Sequence, residues 1–344
     1  RIVGRSYLGA FAINKESLDY TPPSDAGAPV YSRFNRNVGL EYNLASQDNK
    51  WTGKALAFKS FSPNDVTHNN DWAVAGNLQY FSRHWLISGQ AERVGREYNA
   101  EVGYVPRKAY VRWSPQVSYL FFPKGKYVLS HGPKFTSSLF QSSDYRRTDD
   151  ETTAGYAVNF RNLSVLTLGV TKNFVQLLSK FDPTNTRIDS LEAGTRHDWN
   201  TIGADYVSRP QRLFTYSASV RYGGYYADGT KFTMGYELGY RFQPFVNLSV
   251  AGTYNDILLP EPWGRRTFWL ISPRADITFT NTIFFTTFLQ YNEQLKNVNI
   301  NTRFQWRFRP ASDLFLVYTE NYLSENWGVK NRALVLKFTY WWNL

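Results

Sequence analysis

The stretch Asn297-Val298-Asn299-Ile300-Asn301-Thr302-Arg303-Phe304-Gln305-Trp306-Arg307-Phe308-Arg309 decides the reading of this chain. Its even positions are Val298, Ile300, Thr302, Phe304, Trp306 and Phe308. Its odd positions are all Asn, Gln or Arg. Successive side chains of a strand point to opposite faces, so the segment has one apolar and one strongly polar face. Wound as a helix it would place Arg303 and Arg307 on the stripe of Phe304 and Phe308, which makes no amphipathic surface.

The same alternation recurs along the chain. Phe232, Met234, Tyr236, Leu238, Tyr240 and Phe242 alternate with Lys231, Thr233, Gly235, Glu237, Gly239 and Arg241. Phe214, Tyr216, Ala218, Val220 and Tyr222 alternate with Thr215, Ser217, Ser219, Arg221 and Gly223. Val246 to Asn255, Val38 to Leu44 and Leu334 to Tyr340 repeat the pattern, whereas Asp313 to Tyr322 is partly apolar on both faces. Counted together, these segments predict about 18 strands of roughly 10–14 residues, against ~5–6 in soluble sheets. A strand crossing a bilayer needs ~9–11 residues.

The connections and the aromatics agree with that length. Short turns are expected after every even-numbered strand, as at Ser82-Arg83-His84, Gln243-Pro244 and Pro310-Ala311-Ser312. Longer connections are expected after odd-numbered strands: Glu16 to Val30, Arg96 to Lys108, Asp144 to Glu151 and Leu178 to His197, with Ala227-Asp228-Gly229 a tight exception. Outer-membrane barrels have short periplasmic turns and longer outside loops, so both chain ends are expected on the periplasmic side. Aromatics flank the short turns, as Tyr80 with Trp85, Tyr240 with Phe242, and Tyr340 with Trp341 and Trp342, which suits a membrane–water boundary. Trp72, Trp113 and Trp269 suggest a second belt at the other end.

Composition narrows the classes further. The 344 residues carry 39 Lys+Arg against 28 Asp+Glu, a net charge of +11, and no Cys. A disulfide framework, a zinc-thiolate site and a cysteine nucleophile are therefore excluded. With 17% aromatics the chain is not a disordered one. Mean hydropathy is −0.45, and no apolar run reaches the ~18 residues a spanning helix needs. A soluble sandwich or propeller is the alternative source of period-2 alternation, but it needs neither strands this long nor alternating loop lengths. No composition break divides the chain, so one domain, 1–344, is expected, and Arg1 marks a mature, truncated or partial polypeptide.

The segment Tyr98-Asn99-Ala100-Glu101-Val102-Gly103-Tyr104-Val105-Pro106-Arg107 resembles the "F-N-P-E-V-G-F-V-P-R" signature of a family of Bacteroidota outer-membrane proteins. Its members carry an N-terminal module resembling family 9 carbohydrate-binding modules, followed by a β-barrel domain of unknown function. Tyr7 to Asn14, and Asn301 to Pro310 followed by Asp313 to Tyr318, resemble two further family segments. Tyr98, Ala100, Tyr104 and Ala311 depart from the family pattern. The resemblance implies a barrel longer than this chain and a link to glycans through a module this chain does not contain. It supplies no catalytic residues. Read physically, Pro106 biases Val105 to extended backbone and Gly103 permits a tight turn. A loop carrying Val102, Tyr104 and Val105 either folds inward and narrows a pore or packs on the barrel rim.

No active site is legible. His68, His84, His131 and His197 lack metal-ligand spacing, and no phosphate-binding or nucleophile-elbow motif occurs. Ser130 with His131 is a chance neighbouring pair, and Asp144 with Asp149-Asp150-Glu151 in an outer loop is a solvated acidic run rather than a Ca²⁺ site. By alternation Arg112, Arg221, Arg241, Arg303, Arg307, Arg309 and Lys337 face an enclosed lumen, with Glu41, Glu237 and Asp276 as acidic companions. Such a lining either favours anionic solutes or is knit by Arg–carboxylate pairs. Nucleic-acid binding is not expected, because the aromatics alternate toward lipid. The expectation is an all-β transmembrane antiparallel β-barrel, embedded in the lipid bilayer and lipopolysaccharide of a bacterial outer membrane. It is expected to work without catalysis or cofactor as a pore or uptake component. The alternatives are a scaffold subunit meeting other outer-membrane or periplasmic proteins, and an outer-membrane hydrolase.

Overall fold

The computed structural model describes residues 5–18, 32–63 and 69–342. His68, both chain ends and most of the connection from Glu16 to Val30 lie outside them. The described residues contain eighteen β-strands and no helix, and every strand pair for which a register is given is antiparallel. The chain divides into two compact units.

Unit 1 comprises residues 1–121, 132–155 and 172–178. It holds β1 (Tyr7–Glu16), β2 (Phe34–Ala45), β3 (Trp51–Phe61), β4 (Trp72–Phe81), β5 (Trp85–Val94) and β6 (Tyr110–Tyr119). Three further strands, β7 (Val128–Ser142), β8 (Arg147–Phe160) and β9 (Val165–Gln176), contribute a part to each unit. Unit 2 holds β10 (Arg196–Val207), β11 (Phe214–Gly224), β12 (Thr230–Phe242), β13 (Val246–Leu258) and β14 (Arg265–Thr278). It continues with β15 (Ile283–Asn292), β16 (Asn297–Arg309), β17 (Ser312–Leu323) and β18 (Val329–Thr339). The eighteen strands of the described residues match the expected count of about 18. The expected all-β antiparallel arrangement, with strands of 10 to 15 residues joined in chain order as in outer-membrane barrels, is the observed one.

Register turns the alternation of each strand into continuous faces. In unit 2 the directly paired residues Phe242, Val246, Ile277, Phe285, Phe304, Leu316 and Leu336 form one row across seven strands. One residue along, the row reads Arg241, Asn247, Asp276, Thr286, Arg303, Val317 and Val335. Since a one-residue step reverses the face, these rows belong to opposite sides of the sheet. Unit 1 repeats the arrangement. Leu8, Tyr42, Ala55, Gly76, Ala91, Trp113 and Leu139 form an apolar row, and Gly9, Glu41, Leu56, Ala75, Glu92, Arg112 and Phe140 lie on the other side. The apolar side is not covered: Leu336 is 67% and Phe338 64% exposed. Phe315 and Val317 on the polar side explain why β17 reads as apolar on both faces.

The turns after even-numbered strands are short, as at 82–84, 243–245 and 310–311, with 120–127 the longest. Long connections occur only after odd-numbered strands, at 17–33, 62–71, 95–109 and 177–195. One expected loop is corrected. Asp149, Asp150 and Glu151 stand inside β8, and the β7–β8 connection is only 143–146. Tyr145 takes a left-handed conformation there, φ 59°, so the chain turns without the Gly or Asn that usually marks such a hairpin. Aromatic pairs gather near the even-numbered turns. Trp51 meets Tyr80 at 4.9 Å, Trp85 meets Tyr119 at 4.7 Å, and Tyr240 meets Phe242 at 4.6 Å. Toward the opposite ends, Tyr254 meets Trp269 at 4.7 Å and Arg93 lies 4.9 Å over Trp72.

Candidate functional site

The segment 98–107 lies in the β5–β6 connection of unit 1 and packs against the polar side of the sheet. Tyr98, Ala100, Val102, Tyr104, Val105 and Pro106 line a cavity of about 350 Å³ together with Phe11, Phe58, Ala73, Ala75, Glu92 and Tyr110. Those strand residues all have the parity of the Glu41–Glu92–Arg112 row. Gly39 makes the floor possible, because a Cβ there would lie 2.4 Å from Phe11 and 2.5 Å from Phe58. Without it the two rings meet at 5.3 Å.

A buried polar network holds the loop down. Asn35, completely buried, accepts from the Glu101 backbone N–H at 3.1 Å and donates to the Asn99 carbonyl at 3.1 Å. The Asn99 N–H donates to Ser60 Oγ at 3.0 Å, and Ser60 Oγ donates to the Asp71 carbonyl at 3.1 Å. Glu101 accepts from Lys15 Nζ at 2.5 Å, from the Ser32 N–H at 3.0 Å and from Asn99 Nδ2 at 3.3 Å. Burial pushes the Glu101 carboxyl upward, but the Lys15 ammonium and the Ser32 donors outweigh it and hold the group below the usual glutamate range. At the far end Arg107 donates to Asp149 at 2.7 Å and Thr148 at 2.9 Å, and lies 5.0 Å over Phe140. Gly103 closes a turn onto the Ala100 carbonyl at 3.0 Å, leaving Val102 and Tyr104 exposed. Sequence reasoning found Asn99, Glu101 and Arg107 but missed Lys15, Asn35, Ser60 and Asp71. Only the folded arrangement shows that Lys15, Asn35 and Ser60 meet the loop and that Asp71 braces Ser60.

The β9–β10 connection runs over 177–195, and its residues from 179 on, in unit 2, behave similarly. Leu191 packs on a buried cluster of Ile257, Leu259 and Trp263. Trp263 Nε1 donates to the Asp189 carbonyl at 3.2 Å, and Gln294 Nε2 donates to the Thr184 carbonyl at 2.7 Å. Burial pushes the Asp182 carboxyl upward, but donors from Thr184, Arg187 and Asn185 prevail and hold it low.

Apart from Arg309, the charged residues expected on one side share a side within their own unit by register. Arg112 pairs with Glu92 at 3.5 Å, and Arg307 pairs with Asp313 at 3.3 Å. Arg221 crosses Gly203, where no Cβ obstructs it, and grips both Asp205 oxygens at 2.8 and 2.6 Å. Asp276 pairs with Arg274 at 2.9 Å, and Glu41 with Lys54 at 2.7 Å. Arg241 donates to the Arg212 carbonyl at 2.7 Å and to the Pro210 carbonyl. Glu237, Arg303 and Lys337 make no ion pair among the described residues. Arg309 lies beyond a register shift and donates to Tyr340 at 3.1 Å. Paired arginines thus knit much of this side.

The neighbouring Ser130 and His131 do not form a hydrolytic pair. Ser130 is buried and accepts from Asn159 Nδ2 at 3.1 Å, while His131 Nδ1 hydrogen-bonds the Tyr156 hydroxyl at 2.5 Å. Among the described residues no three His, Asp or Glu side chains gather as metal ligands.

No protein-family model and no curated protein matches the chain, so the resemblance of 98–107 to the Bacteroidota family gains nothing from these comparisons. Two solved structures are similar in fold. The siderophore receptor PirA from Acinetobacter baumannii shares 8% identity at a TM-score of 0.44, over 98% of this chain and 74% of that one. PirA from Pseudomonas aeruginosa shares 9% at 0.46 over the same fractions. A likeness of that degree identifies no family.

Proposed function

We propose that this chain is a bacterial outer-membrane β-barrel with a non-enzymatic, uptake-type role. One observation carries the reading: a row of paired residues across seven strands is apolar on one side, and the neighbouring row on the other side carries the charged and polar residues, the Glu320–Arg332 pair near the long-loop end being an exception on the apolar side. An antiparallel sheet can cross hydrocarbon only with its apolar side to lipid and its backbone groups paired. The aromatics at both strand ends then sit at the headgroups, against phospholipid and lipopolysaccharide. In each unit the polar side faces solute, and the loop 95–109 in unit 1 and residues 179–195 in unit 2 each cover part of their own unit's polar side. Short turns and both chain ends face the periplasm. The resemblance of 98–107 favours a longer, glycan-linked protein.

The test is purification followed by planar-bilayer recording. The protein should require detergent, migrate differently on gels before and after boiling, and give stable ohmic steps. A monomer soluble without detergent overturns the membrane reading. A detergent-requiring protein that passes no ions or small sugars overturns the uptake role.

A further inference from the structure

A second cavity, of about 420 Å³, lies in unit 2 beneath the loop 177–195. It is lined by Phe181, Asp182, Asn185, Tyr225, Lys231, Asn255, Phe268 and others. Its chemistry is unlike that of the apolar cavity under 98–107. Lys231 comes from the polar side of β12, the side of Glu237 and Arg241. Among the described residues it has no carboxylate or hydrogen-bond partner; its ammonium lies 5.0 Å from the Tyr225 ring centroid. A half-buried ammonium held against an aromatic face has given up much of its hydration without gaining a counter-ion.

The other polar groups sort by what they still offer. Both Asp182 oxygens are taken by its own loop, from Thr184 at 2.9 and 2.8 Å and from the Arg187 N–H at 2.6 Å. Lys180, at the edge, is paired with Glu192 at 2.8 Å. Asn255 Oδ1 accepts from Thr233 at 2.9 Å, which leaves its Nδ2 as a donor. Asn185, held at φ 54° in the loop, adds a second side-chain amide with no partner among the described residues. Three aromatic faces, Phe181, Tyr225 and Phe268, complete the wall.

We infer that this cavity binds a small hydroxylated carboxylate, of the size and kind of a sugar acid. Lys231 supplies the counter-charge for the carboxylate. The Asn185 and Asn255 amides meet hydroxyls, and the aromatic faces take the C–H surface of the ring. The volume suits a small ligand with a few well-placed polar partners. Residues 180–183 and 185 of the β9–β10 connection line the cavity, so the site exists only while Leu191, Asp189 and Thr184 keep their contacts with Trp263 and Gln294 and the cluster they border.

Isothermal titration of the purified protein in detergent tests this apart from any transport assay, with glucuronate, glucose and inorganic phosphate as probes. Wild type should bind glucuronate saturably and glucose at least ten-fold more weakly. Lys231→Met should lose ten-fold or more in glucuronate affinity, and Lys231→Arg should retain most of it. Unchanged heat-modifiable migration of both variants shows that the fold persists. Should either variant misfold, Asn255→Ala takes its place, with a several-fold loss expected. Equal binding by Lys231→Met and wild type, equal binding of glucose and glucuronate, saturation by phosphate alone, or no saturation by any probe each overturns the assignment.

Discussion

Substituting Phe304 by Arg tests the facing assignment most directly. Phe304 sits in the row between Phe285 and Leu316, on the side opposite Arg303. It is five residues from Arg309 at the short-turn end of β16. At about 3.4 Å per residue and a tilt of ~45°, that places it ~12 Å from that end, near the middle of an apolar band ~25 Å tall. An arginine facing lipid at that depth costs about 2–4 kcal/mol. On a water-facing sheet surface the same change stays within roughly 0.5 kcal/mol. Reversible urea unfolding in lipid vesicles separates these outcomes. Arg303→Gln, one residue away, removes a side chain that makes no ion pair among the described residues and should shift stability by less than about 0.5 kcal/mol. Equal damage from the two variants, or none from Phe304→Arg, refutes the argument that the apolar rows face hydrocarbon.

Other outcomes follow from the loops. Glu101→Gln should weaken charge-assisted bonds that hold 98–107, each worth about 1.5–3 kcal/mol, and raise hydrogen exchange there without altering β16. The same carboxylate predicts a pH response. Its folded value lies below the unfolded one, so the stabilisation is complete above the ordinary glutamate value of about 4.3 and is lost as pH falls through the lower folded value. Exchange in 98–107 should therefore stay slow from neutrality down to about pH 5 and rise only in stronger acid; loop opening between pH 6 and 8 contradicts this. Trp263→Ala empties the small cluster under 177–195 and should cost about 3–5 kcal/mol, read as early proteolysis within that loop. In bilayers Arg303→Gln should lower anion preference; unchanged selectivity would remove Arg303 from the solute path.

Strand identity was legible because a two-residue period survives substitution by any apolar or polar residue, as Asn297 to Arg309 shows. What escaped was anything set by partner and register. Asp149 to Glu151 read as a loop because a charged strand face and an acidic turn look alike in one dimension, and Tyr145 gave no turn signal. Strict alternation likewise cannot foresee the register shift between Arg307 and Arg309, beyond which Arg309 meets Tyr340. The loop 98–107 announced itself by its residues, yet its anchors Asn35, Ser60 and Asp71 looked like ordinary polar positions. Their role depends on strands separated from it by dozens of residues.

The one-residue offset between opposite rows also governs how the chain can change in length. Deleting a single residue within β16 would swing the guanidinium of Arg303 and the indole of Trp306 to exchanged sides over the rest of that strand. Tolerable insertions and deletions should therefore be confined to the connections, or come in pairs. An epitope tag placed at 324–328, or a split-protein junction there, should be accepted where a one-residue insertion in the neighbouring strands is not.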